Sequence, residues 1–167
     1  MNSFTKKLLG VFVGALFILA FTIKPEPVNF AGEWKLNESK SDMGQYANIV
    51  PKTIKVSQTG DSITMTKNSA GFNGEDVQQT ETLSFDGKEK TSSVPPGTST
   101  RKASAKWSDD GKSLIITWDL MMDFNGQTAD IKGTETWALG ADGKSLTVEN
   151  NSSSSFGDNK FKGLYEK

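Results

Sequence analysis

The sequence lacks cysteine and histidine altogether, and only one of its 19 basic residues, Arg101, is an arginine. Without cysteine there is no disulfide, no thiolate metal site and no cysteine nucleophile. Without histidine the chain has neither the usual general base near neutral pH nor the commonest metal ligand. We therefore predict a protein that is not an enzyme, with no catalytic residue, no metal site and no cofactor.

Clustered positive charge is also missing. The chain has 19 basic and 20 acidic residues, and its basic residues form no long run. Binding to nucleic acid requires a basic face that displaces counterions from the phosphates. The charge pattern therefore excludes nucleic acid as an expected partner.

The first 23 residues differ in character from the rest. Lys6 and Lys7 precede an apolar run over residues 8–23. A basic start followed by an apolar stretch of this length is typical of a secretory signal peptide. A membrane anchor over residues 8–23 is the alternative. It is less favoured because the run is shorter than the about 20 residues that a spanning helix needs. Both predict an exported protein, periplasmic or extracellular, and the absence of cysteine suits a bacterial envelope.

A short linker over residues 24–28, stiffened by Pro25 and Pro27, should separate this segment from the folded part. Residues 29–167 are enough for one domain. A domain of this size buries roughly 68–70% of its unfolded surface, so it can form a hydrophobic core without disulfides. We expect this domain to be a monomer.

The remaining sequence consists of short segments in which apolar and polar residues alternate. A period of two is typical of β-strands with one buried face. Turn residues separate the segments: Asp-Gly-Lys occurs at residues 86–88, 110–112 and 142–144, and Asn-Gly at 125–126. Because Asp-Gly and Asn-Gly tolerate the positive φ angles of tight hairpins, they indicate reversals. The pattern predicts about ten strands and no long helix.

Three further segments are expected between strands. Polar residues 37–51 have room for one short helical turn, Pro-Pro-Gly at 95–97 marks a reversal, and the serine run at 152–155 is predicted as a flexible loop. We predict an all-β fold, a single antiparallel up-and-down β-barrel of about 8–10 strands. A two-sheet sandwich is the alternative, but even short turns without crossovers favour a barrel, which leaves no exposed edge.

The segment from Phe30 to Leu36 carries Gly32 and Trp34 in the Gly-x-Trp pattern of the calycins, and it resembles the start of the fatty-acid-binding proteins. Residues 30–41 also resemble the opening of bacterial secreted lipocalin-like domain proteins. This resemblance implies a lipocalin-like, calycin-type barrel in which Gly32 and Trp34 are structural residues. We expect Trp34 to fill the core at the closed end of the barrel.

The sequence departs from the fatty-acid-binding proteins at two places. Residues 37–51 are too few and too polar for the helix pair of that family. The Arg-x-Tyr pair that holds the fatty-acid carboxylate falls on Gly163 and Tyr165, so the arginine is missing. The carboxylate clamp is therefore not carried over.

Strand alternation assigns polar and aromatic side chains to the barrel interior, where Ala103, Ala105, Ala129 and Gly133 are expected to leave room. A ligand pocket is mostly apolar with a few placed polar groups. The alternative is that these charges pair across a filled barrel, or that the register slips by one residue and turns them outward. Tryptophans can likewise serve only as packing. The candidate ligand-binding residues are Arg101, Glu81, Glu135, Gln79, Trp107, Trp118, Trp137 and Tyr165.

The leading functional interpretation is an exported lipocalin-like protein that binds or carries a small hydrophobic or amphipathic ligand in the bacterial cell envelope. The alternative is a barrel without a ligand that acts through its surface, as an inhibitor or interaction module. A third interpretation, an enzyme, requires Glu81 or Glu135 to be a paired carboxyl with a shifted pKa in a cleft.

Overall fold

The computed structural model describes residues 27–44, 47–71, 74–94, 99–124 and 127–167. The predicted signal segment and the reversals at 95–97 and 125–126 lie outside the described residues. Within these ranges the chain forms ten strands and two short 3-10 helices, which confirms the predicted all-β fold. The strands are β1 (Gly32–Leu36), β2 (Thr53–Gln58), β3 (Ser62–Ala70), β4 (Asp76–Ser84), β5 (Lys90–Val94), β6 (Ser99–Trp107), β7 (Ser113–Phe124), β8 (Gln127–Leu139), β9 (Ser145–Ser154) and β10 (Gly157–Glu166).

All ten strands belong to one antiparallel sheet in the order β4-β3-β2-β1-β10-β9-β8-β7-β6-β5. The first and last strands meet in the middle of this order, where Leu36 pairs with Tyr165. The sheet curls so that its two edges, β4 and β5, approach each other, and Gly87 N–H donates to the carbonyl of Ala105 at 3.2 Å. The result is the nearly closed up-and-down barrel that the succession of hairpins predicts.

The three Asp-Gly-Lys segments form the predicted reversals. Their glycines have φ angles of 74°, 70° and 66°. In each, the aspartate carboxylate accepts a hydrogen bond from the backbone N–H of the lysine two positions later, at 2.9 to 3.1 Å. This local bond stabilises the turn before any strand pairing is added.

The serine run is not a flexible loop, and that expectation is wrong. β9 continues to Ser154, and Ser152 pairs with Gly133 on one side and with Asn159 on the other. A strand with two neighbours satisfies its backbone groups on both sides, and this pairing overrides the weak strand preference of serine. The reversal is confined to residues 155–156.

The polar segment after β1 contains two 3-10 helices, Glu38–Lys40 and Ala47–Ile49, instead of a single turn. None of the helical segments in the described ranges combines the length and apolar character that a membrane crossing requires. The two 3-10 helices after β1 have three residues each, so they form only a small addition to the barrel.

The apolar core fills one end of the barrel, which we call the closed end. Trp34 is fully buried there, as predicted, and its Nε1 donates to the carbonyl of Phe30 at 2.9 Å. The other large side chains with no more than 1% exposure include Trp137, Tyr165, Ile54, Ile63, Met65, Leu83, Leu114, Ile116 and Leu146.

Candidate functional site

Four charged side chains meet inside the barrel, beyond the closed end. We call Lys67 of β3, Glu81 of β4, Arg101 of β6 and Glu135 of β8 the interior charge cluster. The exposed fractions of Glu81, Arg101 and Glu135 are 7%, 7% and 6%. The cluster joins two cations to two carboxylates, so its formal charges cancel.

Glu135 is the most firmly held member of the cluster. Lys67 Nζ lies 2.9 and 2.7 Å from its two carboxylate oxygens, and Trp137 Nε1 donates to Oε2 at 3.0 Å. Burial by itself raises the pKa of this carboxyl, but the charges of Lys67 and Arg101 and the two hydrogen-bond donors lower the pKa of Glu135 to about 2. Glu135 is therefore ionised at neutral pH and is unsuited to act as a general acid.

Arg101 is held by longer contacts. Its Nε lies 3.3 and 3.4 Å from the two oxygens of Glu81, and its Nη2 lies 3.5 Å from Glu135 Oε1. Charge-assisted hydrogen bonds between such groups usually measure about 2.7–2.9 Å. The guanidinium therefore keeps capacity for a further acceptor.

The ring of Trp118 lies against Arg101, with the guanidinium carbon 4.8 Å from the ring centroid. Trp118 is 8% exposed, and its Nε1 is buried without a hydrogen-bond partner among the described residues. The ring also covers Gly133, where an added Cβ would collide with it. The room expected above Gly133 is thus taken up by Trp118, which corrects that expectation.

The cluster also bridges the two edges of the sheet. Glu81 belongs to one edge strand, β4, while Ser92 of the other edge strand, β5, approaches Glu81 Oε1 with its hydroxyl at 3.4 Å. β4 and β5 are not neighbours in the hydrogen-bonded strand order. The contact between Ser92 and Glu81 therefore joins edges that the backbone ladder leaves apart.

The structure brings five of the predicted ligand residues together: Arg101, Glu81, Glu135, Trp118 and Trp137. Trp107 lies elsewhere, at the closed end, where its ring stacks on Phe30 with centroids 5.8 Å apart and contacts Phe85 at 5.0 Å. Its position there indicates packing.

Two further predicted residues lie near the cluster without hydrogen bonding to it. The Tyr165 hydroxyl donates to the carbonyl of Pro51 at 3.0 Å. Burial, and to a smaller degree the negative charge of Glu135, raise the pKa of Tyr165. Gln79 is half-buried on the face of β4 that carries Glu81, opposite Lys67 in the strand register.

Sequence reasoning missed Lys67, Ser92 and the buried Asn150. For Lys67 a signal existed, because the alternation of Ile63 and Met65 continues to position 67. A polar residue in an apolar alternation was therefore the available clue. No comparable clue marks Ser92.

Beyond the cluster, away from the closed end, the inward faces of β7 and β8 become apolar again. Leu120 pairs with Arg101 on one side and with Ile131 on the other, and Met122 pairs with Ala129. Leu120 and Ile131 are only partly buried. The cluster thus has the apolar core on one side and, on the other, partly buried apolar side chains of β7 and β8.

Two surface depressions also occur, both largely on the outer face of the sheet. The larger has a volume of about 430 Å³ and is lined by outward-facing polar side chains that include Thr117, Lys132, Asn151 and Lys160. The smaller shares Asn151 and Lys160 with it.

Within the described residues no group of three or more potential ligand side chains is arranged to hold a metal ion.

No protein-family model matches the sequence, and no curated protein matches it either. Among solved structures, the chain is similar to zebrafish ileal bile acid-binding protein in complex with cholic acid. The TM-score is 0.51 with 18% sequence identity, over 83% of this chain and 98% of that chain. The two proteins share their fold, a nearly closed antiparallel β-barrel. This likeness agrees with what the Gly-x-Trp segment implies.

Proposed function

We propose that this protein binds a small amphipathic molecule inside its barrel, with the polar end of the ligand at the interior charge cluster. The observation that carries the proposal is the buried, unpartnered Nε1 of Trp118 beside the loosely held Arg101. Buried donors are nearly always paired, and one without a partner costs about 1–3 kcal/mol. A ligand atom that accepts a hydrogen bond there removes this cost.

The apolar body of the ligand would contact Leu120, Ile131 and their neighbours on β7 and β8. Covering partly exposed apolar surface contributes about 25 cal/mol per Å² buried. The similar zebrafish barrel was crystallised with cholic acid, which is an amphipathic molecule. That precedent supports a ligand of the same general kind, without fixing its identity.

The proposed mechanism is sequestration, not catalysis. Glu81 and Glu135 are both ion-paired to Arg101, and Glu135 has a pKa far below neutral. This arrangement supports a binding role because a general acid or base works best when its pKa lies near the working pH.

The proposed setting is the bacterial cell envelope. It is supported by the basic and apolar pattern of residues 1–23, which is typical of export. A monomeric barrel is proposed, with membrane contact only through residues 8–23 if they are retained and no binding to nucleic acid.

The first test is native mass spectrometry of the full-length chain, purified from a bacterial host, before and after extraction with organic solvent. We expect a co-purifying mass that disappears on extraction and an extracted protein that binds an environment-sensitive fluorescent probe. A clean protein mass together with no probe binding would contradict the proposal.

A matched pair of variants locates the binding. Leu120 faces the interior, whereas its neighbour Met121 faces outward and is 54% exposed. We expect Leu120→Asn to weaken probe binding at least several-fold and Met121→Asn to leave it unchanged. Equal effects of the two substitutions would place the probe outside the barrel.

The second candidate function is an interaction module that acts through the outer face. The observation that favours it is the depression on β7 to β10, which is lined in part by Lys132 and Lys160. If the Leu120 variant binds probe normally while Lys160→Glu changes recovery of a bound protein from envelope extracts, this second function is favoured.

A further inference from the structure

We infer that the ligand's polar end is an uncharged hydrogen-bond acceptor, such as the oxygen of an alcohol, ester or ketone, and not a carboxylate, sulfate or phosphate. The inference rests on the proposed function and specifies its ligand class. Three observations support it: the balanced charges of the cluster, the unpartnered N–H of Trp118, and the lack of space for an arginine at Gly163.

The charge balance of the cluster leaves no cation free for an anion. Lys67 contacts both oxygens of Glu135, and Arg101 lies between Glu135 and Glu81. An anionic group at Arg101 would therefore place a third negative charge beside two cations already matched by two carboxylates. A buried charge without a partner is strongly unfavourable.

Displacement of Glu81 does not solve this problem for an anion. If an anionic ligand took Arg101 from Glu81, the carboxylate of Glu81 would keep only the hydroxyl of Ser92, at 3.4 Å. Glu81 is 7% exposed, so little water could replace the lost guanidinium. An uncharged oxygen binds without breaking the Arg101–Glu81 pair.

The leftover donor selects an acceptor. The indole N–H of tryptophan donates and never accepts a hydrogen bond. Trp118 Nε1 is buried without a partner, and the ring that carries it lies 4.8 Å from the guanidinium carbon of Arg101. A ligand with a bare hydrocarbon end would leave Nε1 unpaired, so a hydrocarbon is expected to bind less well than an alcohol.

This barrel has no space for a side chain at position 163, where the resemblance to the fatty-acid-binding proteins would place the arginine of a carboxylate clamp. Where the Arg-x-Tyr pattern would need an arginine, Gly163 stands, and a Cβ there would lie 2.7 Å from Cε2 of Tyr165. The Tyr165 hydroxyl is already bonded to the carbonyl of Pro51. The inference therefore departs from the cholic acid of the similar zebrafish structure, which carries a carboxyl group.

The deciding experiment compares ligands of equal chain length: hexadecan-1-ol, methyl hexadecanoate, hexadecanoic acid and hexadecane. Each ligand is titrated into the full-length protein carrying an uncharged fluorescent probe, at neutral pH and below the aggregation concentration of the ligand. The measured quantity is the ligand concentration that displaces half of the probe. We expect the alcohol and the ester to displace the probe at concentrations at least about tenfold lower than the acid and the alkane. Displacement by the acid at an equal or lower concentration overturns the inference while leaving the proposed function standing. If the probe binds and none of the four displaces it, or no probe binds at all, the proposed function itself fails.

A tryptophan pair tests the named donor. Trp118→Phe keeps an aromatic ring over Gly133 and removes the N–H, whereas Trp107→Phe makes the same change at the closed end. We expect the preference for the alcohol over the alkane to disappear in the first variant and to persist in the second. Persistence in both would overturn the assignment of Trp118.

A spectroscopic measurement on the unaltered chain covers the case in which Trp118→Phe does not fold. The protein has four tryptophans and hence four indole N–H resonances after labelling with ¹⁵N. We expect hexadecan-1-ol, and not hexadecane, to move one of them downfield, because a new acceptor deshields the proton. Equal spectra with both ligands would contradict the inference.

Discussion

The ring of Trp118 lies over Gly133 of the neighbouring strand, and the two residues are paired in the register of β7 and β8. Only a residue without a Cβ leaves this space for the ring. We therefore expect Gly133→Ala to displace Trp118 and to lower the free energy of unfolding by about 1–3 kcal/mol. Urea unfolding monitored by tryptophan fluorescence measures this change.

The control for Gly133 is Gly60→Ala, because a Cβ added at Gly60 meets nothing within 4 Å. Its effect should be small. In addition, Trp118→Ala combined with Gly133→Ala should show a coupling energy, since residues in direct contact are not additive. Additive effects of the two substitutions would mean that the ring does not cover Gly133.

Removal of the Glu135 charge should destabilise the barrel. Glu135→Gln removes the carboxylate that pairs with Lys67 and leaves Arg101 paired with Glu81 alone. Breaking a buried pair in this way costs about 3–5 kcal/mol. The matched control is Glu149→Gln: Glu149 and Lys162 are also 2.7 Å apart, but both are well exposed. Exposed pairs contribute about 0–1 kcal/mol. Similar losses in chemical denaturation for the two variants would be inconsistent with a buried, interdependent cluster.

Stability should also depend on pH through Glu135. Its pKa is about 2 in the folded protein against an ordinary value of 4.5, so the unfolded chain binds the proton more readily. The stabilisation is therefore fully present above pH 4.5 and is lost as the pH falls from 4.5 towards 2. The difference corresponds to about 3 kcal/mol.

The pH dependence is measured by urea unfolding at a series of pH values between neutral and the acid transition. In Glu135→Gln this part of the slope should be absent, while the slope from surface carboxyls remains. If the free energy of unfolding of the variant fell with pH as steeply as that of the unaltered protein, the neighbours of Glu135 would not lower its pKa as described.

Truncation of Trp34 tests the closed end. Trp34 is fully buried and bonded to the carbonyl of Phe30, so Trp34→Ala should lower the free energy of unfolding by about 3–5 kcal/mol. Phe156, at the tip of the β9–β10 hairpin, is 73% exposed and supplies the control. A loss in thermal and chemical unfolding as small as that of Phe156→Ala would contradict the core position of Trp34.

Much of the strand pattern could be predicted because alternation and turn chemistry are local. The inward face of β6 with Arg101, and that of β8 with Glu135, follow from which neighbours are apolar. The Asp-Gly-Lys turns follow from backbone geometry within four residues. Those features need no knowledge of the other strands.

What could not be predicted depends on pairing between distant strands. Glu81 meets Arg101 only because the sheet curls until its edges approach, and Lys67 meets Glu135 across 68 residues of chain. Trp107 shares the inward side of its strand with Arg101 but lies at the other end of the barrel, and period alone does not distinguish height along a strand. The serine run looked like a loop because its strand character comes from its two partners.

The pairing of Leu36 with Tyr165 has a consequence for biogenesis. β10 lies between β1 and β9, so the last strand in the chain is the one that joins the two halves of the sheet. Until β10 is made, β1 and β9 each present an unpaired edge, so a chain that lacks its C-terminal residues is a sheet split at its centre and prone to pair with other chains. Compared with a fold completed from one end, such a barrel closes only after its last strand is available, so its native state forms late in synthesis.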